Sequence, residues 1–202
     1  MVIQRNMFSK VFSRAAFYQN QIRYATASAG ATTTLNCNKA LKKGDEAVSF
    51  KELIESKPVT SLQGIGPKHE AQLEALKLRT IADLANYKFF HLARSIQTLA
   101  QVEEAGERLE HATMNLDKGL DKAFESMSLN EVCKAPASAL SGLSDIAGET
   151  LKQLGVKTVD DLAQWKYCKW AEAIQVAAKY EQYKPPAADE ESASTTTVTS
   201  ES

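Results

Sequence analysis

Cysteine is scarce and has no pattern: Cys37, Cys133 and Cys168 are odd in number, far apart and without a Cys-x-x-Cys. Such a set argues against a disulfide framework or a cysteine-ligated metal centre, so packing must hold the chain together. Long apolar runs are missing as well, and none approaches the ~20 residues that a membrane-crossing helix needs. Metal motifs fail in detail. His69-Glu70 opens a His-Glu-x-x-His, but Leu73 stands where the second histidine belongs, and His91 and His111 have no ligand at fitting spacing. No phosphate loop, nucleophile elbow or dinucleotide fingerprint occurs. Asp117, Asp121 and Glu125 fall at i, i+4, i+8 with Lys118 and Lys122 between them, which reads as a solvated helix face. The expectation is a protein that is not an enzyme, with no catalytic residue, metal or cofactor.

Acidic residues are absent from 1–24, where Arg5, Lys10, Arg14 and Arg23 supply four positive charges. Phe8, Val11, Phe12, Ala15 and Ala16 recur at helical spacing, giving a basic amphipathic helix. That is the pattern of a mitochondrial presequence, and Arg23-Tyr24 before Ala25 resembles a matrix-peptidase site. The mitochondrial matrix, free or peripheral to the inner membrane, is the expected location. A plastid is the runner-up, because Ala25 to Thr34 is rich in Ala, Ser and Thr. Cleavage would take Lys+Arg from 24 to 20 against 25 Asp+Glu, a formal −5. Asp189, Glu190, Glu191 and Glu201 lie in the tail, so the part between is near neutral. A domain living on phosphate neutralisation should be basic, because counterion release supplies most non-specific nucleic-acid affinity.

What the chain does contain is a unit that occurs twice. Leu62-Gln-Gly-Ile-Gly-Pro-Lys-His-Glu-Ala-Gln-Leu73 sets in a row two glycines, Gly64 and Gly66, expected to take backbone angles closed to residues with a Cβ, an apolar plug (Ile65) and a helix-starting Pro67. Shifting by 78 positions superposes Leu62, Gly64, Leu73, Leu76, Thr80, Asp83, Leu84 and Ala85 on Leu140, Gly142, Leu151, Leu154, Thr158, Asp161, Leu162 and Ala163. Lys88, Ala93, Ile96, Gln97 and Ala100 continue as Lys166, Ala171, Ile174, Gln175 and Ala178. Upstream, Ser49-Phe50 matches Ser128-Leu129 with a one-residue slip, and Ser49 with Glu52 predicts a capping box.

The Leu-x-Gly turn followed by Thr-[Ile/Val]-x-Asp-Leu-Ala resembles the helix-hairpin-helix family in its helix-three-turn-helix form, over roughly 49–100 and 128–180. The resemblance implies an all-α fold with two tandem helix-hairpin-helix-like modules. Expected divisions are a presequence (1–24), a flexible leader (25–48), a first module (49–100), a helical connector (101–127), a second, degenerate module (128–183) and an acidic Ser/Thr-rich disordered tail (184–202). The connector rests on Leu92, Ile96, Leu99, Val102, Leu109, Ala112, Leu116, Leu120, Phe124 and Met127 at helical spacing. Gly106 and Gly119 predict a break or kink in it.

In this family the hairpin amides and a following basic residue hold a phosphate, which would fall here to Gly64, Gly66 and Lys68. The second unit departs from that: Gly66, Pro67 and Lys68 become Ser144, Asp145 and Ile146. An aspartate there repels phosphate, and Ile146 wants burial or a protein partner. The aromatic stretches Tyr87-Lys88-Phe89-Phe90 and Trp165-Lys166-Tyr167-Cys168-Lys169-Trp170 read as core anchors, with Trp170 the one expected to be exposed as a protein contact. The leading expectation is a non-catalytic protein–protein interaction module, an accessory or assembly subunit of a large mitochondrial complex, respiratory complex I ahead of the mitochondrial ribosome. The alternative is an organellar nucleic-acid-binding factor using the first hairpin. That would need Lys68, Lys77, Arg79, Lys88 and Arg94 on one face.

Overall fold

The computed structural model describes residues 35–104, 106–107 and 110–182. The expected presequence (1–24) and the expected tail (184–202) lie outside that range. The chain divides into two compact units, Met1–Asn36 and Cys37–Ser202. The described residues fall almost wholly in the second, and they are all-α. Its helices are α1 (Phe50–Ser56), α2 (Pro67–Ala75), α3 (Ile81–Ala85), α4 (Lys88–Ala100), α5 (Leu129–Lys134), α6 (Asp145–Gln153), α7 (Val159–Ala163) and α8 (Lys166–Ala178). Short 3-10 turns at Val59–Ser61 and Ala137–Ala139 precede α2 and α6. Among the described residues no strand forms, only isolated bridges such as Leu41 with Leu62 and Leu120 with Leu140.

Local chemistry explains the starts. Thr80 with Asp83, Ser128 with Glu131 and Thr158 with Asp161 form full capping boxes at α3, α5 and α7. At α1 only half of the expected box exists: Ser49 Oγ accepts the Glu52 amide, while the Glu52 carboxylate lies 3.7 Å from Lys57 Nζ. The Thr158 amide, ahead of the opposing effect of burial, holds the Asp161 carboxyl below its ordinary range, helped by the Lys157 amide and the Thr158 hydroxyl. For Asp83 burial is the largest influence and pushes upward, but the Thr80 and Arg79 donors together outweigh it.

α2 and α6 end alike. The Leu78 amide reaches Leu73 O at 2.8 Å and the Val156 amide reaches Leu151 O at 2.9 Å, the paired bonds of a Schellman stop. The residue between must be left-handed: Lys77 has φ 61°, and its equivalent Gly155 has φ 86°. A residue with a Cβ pays about 1–2 kcal/mol there. Lys77→Gly is therefore expected to raise stability by about 1 kcal/mol and Gly155→Lys to lower it by a similar amount, checked by urea unfolding of both variants.

The repeat extends further than sequence spacing implied. Residues 37–48, expected to be a flexible leader, are folded onto the core, with Leu41 4% exposed and Cys37 and Val48 packed against it. The expected connector helix over 101–127 does not form among the described residues, which make turns instead, and Gly106 is left-handed at φ 82°. The reason is that its second half repeats 37–48 at a shift of 79. Ala40 N bonds Cys37 O as Gly119 N bonds Leu116 O, and Gln63 N bonds Ala40 O as Ser141 N bonds Gly119 O. Leu120 is held by its bridge to Leu140 and is 4% exposed, so the apolar spacing served two separate turns. The slip from 79 to 78 is absorbed where α5 is one residue shorter than α1.

The two halves interlock. α4 packs on α7 and α5 of the second half, and α8 packs on α3 and α1 of the first. Contacts across the halves are reciprocal. Glu103 accepts the Leu129 and Asn130 amides at 2.8 and 3.0 Å, capping α5. Its equivalent Glu181 accepts the Phe50 and Lys51 amides at 3.0 Å each, capping α1. The equivalent residues Gln97 and Gln175 also bond across the halves, to the non-equivalent partners Asp160 and Asn86. Reciprocity of this kind is the mark of a two-fold relation, here between halves of one chain. Arg94 and Glu172, themselves equivalent positions, pair with each other, which places them beside the pseudo-axis.

The Leu129 amide above all, with the Asn130 amide and side chain, depresses the Glu103 carboxyl, and the Ser128 amide and hydroxyl depress Glu131. Both groups have folded values below the ordinary 4.5, so their stabilisation is present above that value and is lost as pH falls through the lower folded values. We expect Glu103→Ala and Glu181→Ala each to cost about 1 kcal/mol at neutral pH. Glu103→Gln should also flatten the acid limb of a stability–pH curve.

Candidate functional site: the paired hairpins

Leu62 and Ile65 are fully buried, and they pin the first turn from both sides. Gly64 is left-handed at φ 95°, as the sequence predicts. Gly66 differs from the expectation of a special conformation. At φ −97° and ψ 178° it is ordinary extended backbone, and a Cβ there would meet nothing within 4 Å. Its equivalent Ser144 takes a similar conformation and uses its hydroxyl to accept the Ala147 amide at 3.2 Å. α6 thus begins with a side-chain cap and Asp145, whereas α2 begins with neither, behind Pro67 at its first position.

Lys68 is exposed in the first turn of α2 and pairs with no carboxylate among the described residues. The neighbouring His69 places Nδ1 3.1 Å from Gly64 O. What faces the turn comes from the other half. A Cβ on Gly64 would stand 2.9 Å from Tyr167 Oη and 3.8 Å from Lys166 Nζ, while one on Gly142 would stand 3.9 Å from Lys88 Nζ. Each hairpin therefore meets the lysine that opens the long helix of the opposite half. Lys166 Nζ lies 4.9 Å from the Tyr167 ring centre and Lys88 Nζ 4.6 Å from that of Phe89, distances suited to cation–π attraction. Beside the first hairpin lies an open groove of about 470 Å³ lined by His69, Gly155, Gln164, Trp165 and Lys166. A second groove of about 470 Å³, lined by Gln97, Asn130, Cys133 and Asp160, lies between α4 and the second half.

Several of the basic residues are engaged elsewhere. Arg94 is paired with Glu172, and Arg79 lies 3.2 Å from Glu74. Lys88 faces the second hairpin and Lys68 belongs to the first. The aromatic stretches are core: Tyr87, Phe89, Phe90, Trp165, Tyr167 and Cys168 are all buried. Burial accordingly pushes the Tyr87 hydroxyl and the Cys168 thiol up. Trp170, expected to be exposed, is instead half-buried against the core, edge-on to Tyr167 at 5.9 Å. Ile146 is 82% exposed in the first turn of α6.

Glu103 and Glu181, the caps that join the halves, escape a reading of the hairpins alone. The 78-residue shift relates them, but they fall beyond the helices that made the repeat visible.

Among the described residues no three His, Cys, Asp or Glu side chains converge as a metal site, and no helix is long and apolar enough to cross a membrane. Comparison with family models, curated proteins and solved structures finds no match. The structure thus defines an all-α chain whose two halves are built alike and interlock.

Proposed function

We propose that the chain is a tandem helix-hairpin-helix protein acting as a non-catalytic protein–protein interaction module. It serves as an accessory or assembly subunit of a large complex in the mitochondrial matrix, respiratory complex I ahead of the mitochondrial ribosome. The observation that carries this reading is Ile146. At the position where the first hairpin offers the Lys68 ammonium, the second offers a branched apolar side chain at 82% exposure. Val102 and Tyr180, equivalent to each other beyond the long helices, are 76% and 82% exposed, so apolar contacts are offered at several points. The basic amphipathic pattern of residues 1–24 supports the location.

A second reading has one observation in its favour. The amides opening α2 have no side-chain cap, and Lys68 and Lys166 stand near that hairpin. These groups suit a phosphate, and so an organellar nucleic acid. Gradient sedimentation of detergent-solubilised mitochondria separates the two. Co-migration with a respiratory complex that survives nuclease and moderate salt, and is weakened by Ile146→Lys, is the expected result. Release by nuclease, abolished by Lys68→Glu and untouched by Ile146→Lys, would replace it with the second reading. A free peak alone would overturn both.

A further inference from the structure

The pseudo-two-fold interlock has the form of a homodimer interface fused into one chain. We propose that the chain exchanges halves with a second copy of itself, and that the Arg94–Glu172 pair sets which half pairs with which.

Four observations lead there. The long helices α4 and α8 make their main helix contacts with the opposite half, so a half separated from its neighbour exposes the face that a second copy would cover. The Glu103 and Glu181 caps and the axis pair are reciprocal, and a second chain can rebuild every contact across the halves, the Gln97 and Gln175 bonds included. Between Glu103, the last residue of the first half that bonds across, and Leu116, where the second half begins to fold, lie thirteen steps of chain. At full extension these reach about 45 Å. The described residues of that link, 104, 106–107 and 110–115, are all exposed, and their hydrogen bonds are local.

The axis pair adds a selection rule. Only positions beside a two-fold axis touch their own equivalents. Two first halves would set Arg94 against Arg94, and two second halves would set Glu172 against Glu172. Only a first half with a second half joins opposite charges. The partner that fits is therefore a complete second copy, paired first half to second half in both places. Packing reinforces the rule: Phe90 and Cys168 are equivalent and both fully buried, so like halves would also mismatch in volume.

Two full-length variants test this, Arg94→Glu and Glu172→Arg. Each carries like charges at the axis, whether it closes on itself or pairs with its own kind. In a mixed dimer both axis contacts become opposite in sign. The variants are unfolded, refolded separately and as an equimolar mixture, and read by light scattering after size exclusion and by native mass spectrometry with one chain isotope-labelled. The expected result is a 1:1 mixed dimer favoured over either self-dimer by about fivefold for each of the two restored pairs, the preference shrinking in high salt. The chain carrying both substitutions should behave as the unaltered chain does. If the single variants fail to refold alone, recovery of folded material only in the mixture is the same positive result. A mixture that equals the sum of its two components, folded or aggregated, overturns the proposal.

Discussion

Phe90→Ala is expected to lower unfolding free energy by about 3–5 kcal/mol, the usual range for emptying a buried aromatic site. Phe90 is fully buried on α4, the first-half helix that packs into the second half on α7 and α5. The chain's tryptophans, Trp165 and Trp170, both belong to the second half. Their fluorescence should therefore report a lesion made in the first. The midpoint of the Trp transition in urea should fall together with that of far-ultraviolet circular dichroism, in one step. Since a domain has only about 5–15 kcal/mol in total, most of the variant's margin would be gone. A shifted dichroism curve with an unmoved Trp curve would mean that the halves fold separately.

Gly64→Ala should be the next most damaging single change, at about 2–4 kcal/mol. Two causes act together. The left-handed backbone at φ 95° disfavours any Cβ, and the added carbon would stand 2.9 Å from Tyr167 Oη. The Tyr167 ring is buried and cannot swing away freely. Gly142→Ala shares the first cause at φ 86° but meets only the flexible Lys88 ammonium at 3.9 Å, so it should cost about 1–2 kcal/mol. Tyr167→Phe removes the offending hydroxyl and reproduces the residue at its equivalent, Phe89. It should return a good part of the loss in Gly64→Ala and nothing in Gly142→Ala. Equal losses at the two glycines, or no recovery with Tyr167→Phe, would show that the first hairpin is not covered by the opposite half.

The helices were legible because their signals are local. Thr80 with Asp83 and Thr158 with Asp161 state where α3 and α7 begin, Pro67 states where α2 begins, and Leu73 with Leu76 marks its buried face. The left-handed turn at Gly64 was legible for the same reason. The connector was misread because period alone cannot tell a helix from two turns that each bury an apolar residue. Leu116 and Leu120 keep helical spacing, yet Leu120 is there to meet Leu140, a contact that no local pattern encodes. The interlock was invisible for a related reason. A repeat states that two units are alike and is silent on whether each helix packs at home or across. Glu103 and Glu181 carried the one available hint, a repeated acid beyond each long helix, and its meaning depended on which amides lay opposite. At the hairpins, the sequence set Ile146 apart from Lys68 but could not show that Tyr167 and Lys166 come to Gly64.

The interlock itself is tested most directly by cutting the chain within the exposed link, between residues 107 and 110, and recording amide proton–nitrogen spectra of each piece alone and of the two mixed. Neither piece should give a dispersed, folded spectrum as a monomer, and the mixture should restore one set of native resonances at a 1:1 ratio. A well-dispersed spectrum from either half alone as a monomer, unchanged on adding the other, would contradict the account and leave two independent modules in its place.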